Sequence, residues 1–266
     1  MRTLGLGLTL VALLWLVERD GDVASIVPDR ATPPGQAECP AGTGPSMVRL
    51  PEGFCIDTTE VTRGQYAAWL GAEPSLEGQP SACAANDDYT PTCAFDGASA
   101  RENQPVVCVD WCDARAFCEA AGKRLCGGVE DGESYPFADY ADPAVSEWQA
   151  ACTSGGAHSY TYGDELDTEI CRGADAETAA TWGFADVGSF PGCQSPEAAY
   201  AGVFDLSGHA AEWDNSCDGE GADANCRIRG GSFEHNEHGL RCAMGERLHW
   251  PRMRTVVSVG FRCCAD

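Results

Sequence analysis

Sixteen cysteines in a chain of 266 residues limit the fold more than any other feature. They run from Cys39 to the adjacent pair Cys263 and Cys264, and their number is even. Zinc sites built on cysteine need tight C-x2-C pairs at matched spacing, and the sequence has none. An even, dispersed set reads as disulfides, which form and persist in oxidising compartments. The N-terminus points the same way. Arg2 precedes an apolar run, Leu4 to Val17, that ends at Glu18-Arg19-Asp20. The run is shorter than the ~20 residues that span a bilayer and suits the apolar region of a signal peptide. Residues 1–25 are therefore expected to be a signal peptide, with small residues at Val23 and Ser25 for cleavage. An uncleaved membrane anchor is the alternative. The expected location is extracytoplasmic: periplasmic, cell-surface or secreted.

Residues 26–45 are rich in Pro, Gly, Ala and Thr and read as a linker. Residues 46–266 are expected to form one globular domain. The apolar fraction of 44% is ordinary for a folded chain. With 17 basic and 41 acidic residues the net charge is −24. Such a field repels phosphates, so nucleic acid is excluded as a partner and anionic lipid is disfavoured. Divalent cations and cationic partners are favoured. The partner itself, a protein or a small molecule, is not specified by the sequence.

Met47 to Leu50 and Phe54 to Asp57 alternate like two strands around Pro51-Glu52-Gly53. Thr62 is a fitting N-cap for a short helix through Tyr66 and Leu70. The clearest helix is Trp111 to Ala121, capped by Asp110, with Asp113 in its first turn and Ala114, Phe117, Cys118 and Ala121 on one face. Ser146 caps another, Glu147 to Cys152. Glu73 to Asn103 reads as a long polar loop pinned by a Cys83–Cys93 bridge, since loops this long are uncommon without a staple. A second local bridge is expected between Cys217 and Cys226.

Five blocks, in order, resemble one family. They are Gly53 to Thr62 with Gln65-Tyr66; Pro105 to Trp111 with Ala114 and Phe117-Cys118; Gly122-Lys123-Arg124-Leu125 with Glu147-Trp148 and Ala150-Ala151; Val203 to Trp213; and Arg229 to Phe233 with Val259 to Cys263. This order is similar to that of the formylglycine-generating enzyme, or sulfatase-modifying factor, family, over residues 46–266. The resemblance implies an α+β fold, a single C-type-lectin-like domain rich in irregular structure. It also implies two long-range bridges, Cys118–Cys263 and Cys152–Cys242.

The family's oxidase converts a sulfatase cysteine to formylglycine with two copper-binding cysteines after the "G-G-S" block. Here those positions hold His235 and Leu240. Neither supplies the soft sulfur that suits Cu(I), so copper is not expected. His235 and His238, beside Glu234 and Glu237, form an alternative metal-ligand set, with His249 following in the same region. Calcium is expected from the resemblance, at Asp205, Gly208, Ala210 and Glu212; Asp205 and Glu212 offer hard carboxylate oxygens. His209 stands where the family has a non-ligand Asn. Arg241, Arg247 and Arg262 are expected in internal ion pairs, and Trp111, Trp148 and Trp213 in the core.

The first reading is an exported, non-oxidase binding or accessory domain. The alternatives are a formylglycine-generating-type oxidoreductase acting on a protein cysteine, a metal-dependent enzyme using His235 and His238, and a lectin-like calcium-dependent ligand binder.

Overall fold

A computed structural model of the chain describes residues 38–93, 101–174, 183–244 and 248–266. The N-terminal apolar run and Arg247 lie outside these residues. Among the described residues no helix is long and apolar enough to cross a membrane. Ala37–Asp266 forms one compact unit.

The chain opens with β1 (Met47–Arg49) and β2 (Cys55–Asp57), paired antiparallel through the Pro51–Gly53 turn. Helix α1 (Arg63–Leu70) follows. Its first turn is closed reciprocally: Thr62 Oγ1 accepts from the Gln65 amide, and the Gln65 side chain accepts from the Thr62 amide. Helix α2 (Trp111–Ala120) uses the same device with two acids, Asp110 and Asp113. Its buried stripe, Ala114, Phe117 and Cys118, faces the core at the helical period. Helix α3 (Glu147–Thr153) is capped by Ser146 and is buried along its whole length.

Two small sheets carry the rest. Strands β3 (Arg124–Leu125) and β8 (Cys263–Ala265) complete the first, in the order β1-β2-β8-β3, with every pairing antiparallel. The second contains β4 (Ala211–Cys217), β5 (Asn225–Arg229), β6 (His249–Pro251) and β7 (Val259–Gly260) in the order β6-β5-β4-β7. In it β4 and β7 run parallel. The C-terminal strand β8 thus inserts between two strands that are each more than a hundred residues earlier. One core gathers Tyr66, Trp69, Trp111, Phe117, Trp213 and Phe261; another gathers Phe54, Ile56, Trp148 and Leu206. The architecture is α+β, with short elements and much irregular backbone.

Eight disulfides hold this irregular chain, and they mark an oxidising compartment. Cys118–Cys263 and Cys152–Cys242 span 145 and 90 residues and join the cysteines that the resemblance pairs. Loops of that length are worth about 4–5 kcal/mol each in the chain-entropy account. Cys217–Cys226 staples β4 to β5 directly opposite in register. The Cys83–Cys93 expectation is corrected. Cys83 bonds Cys112 on α2, and Cys93 bonds Cys108. The polar segment is therefore not closed on itself. It is riveted to the helix and to the irregular segment that enters it, which lets Tyr89 and Trp69 pack together against the aromatic core. The end of the stretch that reads as linker is tied as well, by Cys39–Cys55.

Candidate functional site

Three irregular stretches meet at one place because their backbones bond to each other and not to a sheet. The segment leading into β4 has positive φ at Asp205, Gly208 and His209 (65°, 99° and 59°). This curls the chain so that its amides point outward to neighbours. Gly208 N donates to Gly230 O at 2.8 Å, and His209 N donates to Arg172 O at 2.7 Å. Phe233 N donates to His209 O at 2.9 Å. Phe184 closes the group edge-on to both His209 and Phe233. Gly231 is required here: at φ +70°, an added Cβ would lie 2.0 Å from Gly239 O.

Beneath this junction lies a row of buried charges. Glu212, on β4, is 1% exposed. Arg262 Nε and Nη2 donate to its two oxygens, both at 2.8 Å, and Trp148 Nε1 adds a third bond at 2.8 Å. Arg262 also donates to the carbonyls of Asp57 and Phe204. Next to it, Lys123 Nζ lies 2.6 Å from Asp57. Lys123 is the one lysine of the sequence, and it is buried as a structural cation.

The neighbouring acids are arranged differently. Glu60 Oε1 lies 2.8 Å from His209 Nδ1 and accepts the Ala210 amide at 3.3 Å. Asp205 Oδ2 accepts the Gly188 amide at 2.6 Å and lies 4.0 Å from His209 Nδ1. Burial would lower the imidazole pKa, but Glu60 and then Asp205 hold it up at about 9. Burial and the nearby Glu60 charge push Asp205 up to about 7. Glu60 Oε2 and Asp205 Oδ1 are buried with no hydrogen-bond partner.

The structure therefore divides the residues that the resemblance assigns to calcium. Asp205 faces Glu60 and His209, while Glu212 turns both oxygens to Arg262 and Trp148. Both oxygens of Glu212 are thus occupied by side-chain donors, whereas Asp205 Oδ1 is not. Among the described residues, the groups of three or more metal-capable side chains are Glu60–Asp205–His209 and Cys126–Glu147–Cys264, and in the second both sulfurs are already bonded to each other. Glu60 and His209 escaped the sequence reading because they are 149 residues apart. The one available signal was a titratable ring at a position where the family has an amide.

His235 and His238 join no such cluster. His235 Nδ1 accepts from the Ser232 amide and bonds Ser232 Oγ, at 3.0 and 2.9 Å. Burial holds its pKa below the usual value, so the ring is neutral. His238 is exposed in the 3₁₀ turn Glu237–Leu240, and His249 sits apart on β6 against Phe137. Leu240 is buried against Gly173 and Gly208. Cys242 is bonded to Cys152, and all sixteen cysteines are in disulfides. Two thiolates for Cu(I) are not present, so the copper centre of the resemblance does not fit. Arg262 forms the expected internal pair. Arg241 does not; it bonds Glu237 at the surface, because both sit on the exposed side of the same turn. Trp111, Trp148 and Trp213 are buried.

The profile described as sulfatase-modifying factor enzyme 1-like domain matches residues 27–266. A curated Bos taurus protein, inactive C-alpha-formylglycine-generating enzyme 2, is 29% identical over 217 residues, covering 74% of this chain and 58% of that protein. The chain thus spans just over half the length of that relative. Among solved structures, PvdO from Pseudomonas aeruginosa is 18% identical, with a TM-score of 0.54 over 85% of this chain and 90% of that one; it shares the fold. CarF is 21% identical with a TM-score of 0.49, covering 80% of this chain and 85% of that chain.

Proposed function

We propose a non-oxidase binding or accessory role for this chain, which belongs to the sulfatase-modifying factor enzyme 1-like family. One observation carries the reading: the loop that would present the oxidase thiols carries Ser232, His235 and Leu240, and every cysteine is committed to a disulfide. Formylglycine formation needs a thiolate-bound metal, and soft sulfur is what retains Cu(I). A neutral imidazole held by Ser232 and a buried leucine cannot replace it. The bovine relative bears the name of an inactive enzyme, which supports the same reading. The domain would act outside the cytoplasm, in keeping with its disulfides. Its net charge of −24 favours a cationic partner surface.

The test is direct. The purified chain is loaded with Cu(I) under oxygen and incubated with a cysteine peptide of sulfatase type. Mass spectrometry is expected to show unchanged peptide, and the protein is expected to retain no tightly bound copper. Aldehyde product above the protein-free control would overturn the reading in favour of an oxidoreductase.

A further inference from the structure

We propose that Glu60, Asp205 and His209 form a buried site for one divalent first-row cation of the zinc class. The site differs from the oxygen cage of the resemblance. It recruits Glu60 and His209 and leaves Glu212 to Arg262.

Four observations carry it. One ligand atom from each residue lies within 4.8 Å of the others. Donors held at about 2.0–2.2 Å from a zinc ion sit roughly 3–4 Å apart, so a small inward shift closes the set. Each acid of the cluster also keeps one buried carboxylate oxygen with no hydrogen-bond partner, Glu60 Oε2 and Asp205 Oδ1, on residues that are 0% and 1% exposed. Buried carboxylate oxygens are normally paired or bound to metal, because desolvation without a partner is costly. The local charge also fails to balance from within. Glu212 is answered by Arg262 and Asp57 by Lys123, which leaves two carboxylates facing one imidazole. A divalent ion with a neutral ring matches them.

The outer contacts of His209 suit a ligand. Its Nε2 faces the backbone of Ala185, 3.0 Å from the carbonyl oxygen and 3.2 Å from the amide nitrogen. Donation of Nε2–H to that carbonyl leaves the Nδ1 lone pair for the ion. Backbone carbonyls commonly fix ligand tautomers this way. One imidazole nitrogen with two carboxylates selects a borderline cation over calcium, which takes six to eight oxygens. Full burial makes the role structural. The ion would tie the segment before α1 to the loop entering β4. The inference does not depend on the non-oxidase reading.

The whole chain is produced in zinc-supplemented medium, and its metal content and Tm are measured before and after chelation. One zinc per chain is expected, with a Tm lower by about 5 °C or more once the metal is removed. Reloading with Co(II) is expected to give visible d–d absorption of a mixed nitrogen and oxygen site, while calcium in excess leaves both signals unchanged. H209N and E60Q are expected to lose the metal while keeping all eight disulfides. The cobalt spectrum of the unaltered chain decides the matter even if a variant misfolds. A folded, metal-free protein whose Tm ignores zinc and cobalt would overturn the proposal and leave His209 as the only cation there. Metal retained by H209N, or displaced by calcium, would overturn it too.

Discussion

Glu212 and Glu60 are both fully buried carboxylates, one on β4 and one just before α1. Glu212 has a bidentate guanidinium and an indole N–H, so each of its oxygens is bonded. Glu60 has one oxygen bonded to His209 and the Ala210 amide, and the other has no partner. The difference comes from who supplies the cation. Arg262 reaches Glu212 from a strand end fixed by the Cys118–Cys263 disulfide beside it, and its planar fork fits a carboxylate. At Glu60 the nearest cation is a short imidazole on a curled loop, which reaches one carboxylate well and the second at 4.0 Å. Burial is affordable for a carboxylate when geometry delivers a full set of donors, and otherwise leaves an opening for an ion.

The largest break in this contrast is Arg262→Met. It strips the paired acid of its cation and leaves Glu212 buried and uncompensated. A loss of about 3–5 kcal/mol is expected, read from urea unfolding at neutral pH with the disulfides intact.

The acidic pair Asp110 and Asp113 sharpens the comparison through pH, since no side-chain cation among the described residues is bonded to it. Burial, then the Asp110 charge, pushes Asp113 up to about 8. For a carboxyl raised in the folded state, the stabilising contribution is fully present below the unfolded value near 3.8 and is lost as pH rises through 8. Unfolding free energy is therefore expected to fall between pH 5 and 8 by roughly 3–4 kcal/mol. Asp113→Asn should flatten that slope; an unchanged slope would show that Asp113 is ionised throughout.

The smallest effect is expected at the unbalanced site. In the chelated protein, Glu60→Gln removes one of two competing negative charges, so its cost should stay near 1 kcal/mol, well below that of Arg262→Met. Equal costs would mean that Glu60 is as fully compensated as Glu212, and the contrast would fail.

Much of the frame was legible from local chemistry. Asp110 and Ser146 announced α2 and α3 because capping acts within three residues, and the turn at Pro51–Gly53 set β1 against β2. The long-range bridges Cys118–Cys263 and Cys152–Cys242 were readable only through the order of the family blocks. The Cys83 and Cys93 partners were not readable. Sequence proximity favoured joining them, whereas the entry and first turn of α2 brought Cys108 and Cys112 within reach. The acids were legible as acids, but their partners were not. Asp205 and Glu212 looked like a pair at seven residues' distance, and the fold turned one toward His209 and the other toward Arg262.

The sequence by itself determined the absence of a thiol pair at positions 235 and 240, the oxidising environment and the family of the fold, because these depend on which residues are present and in what order. Only the tertiary structure decided which cation answers which buried carboxylate. That choice rests on distances of a few ångströms between residues as much as 149 positions apart. Coulombic and hydrogen-bond energies fall steeply over that scale, while nothing in the linear order encodes it.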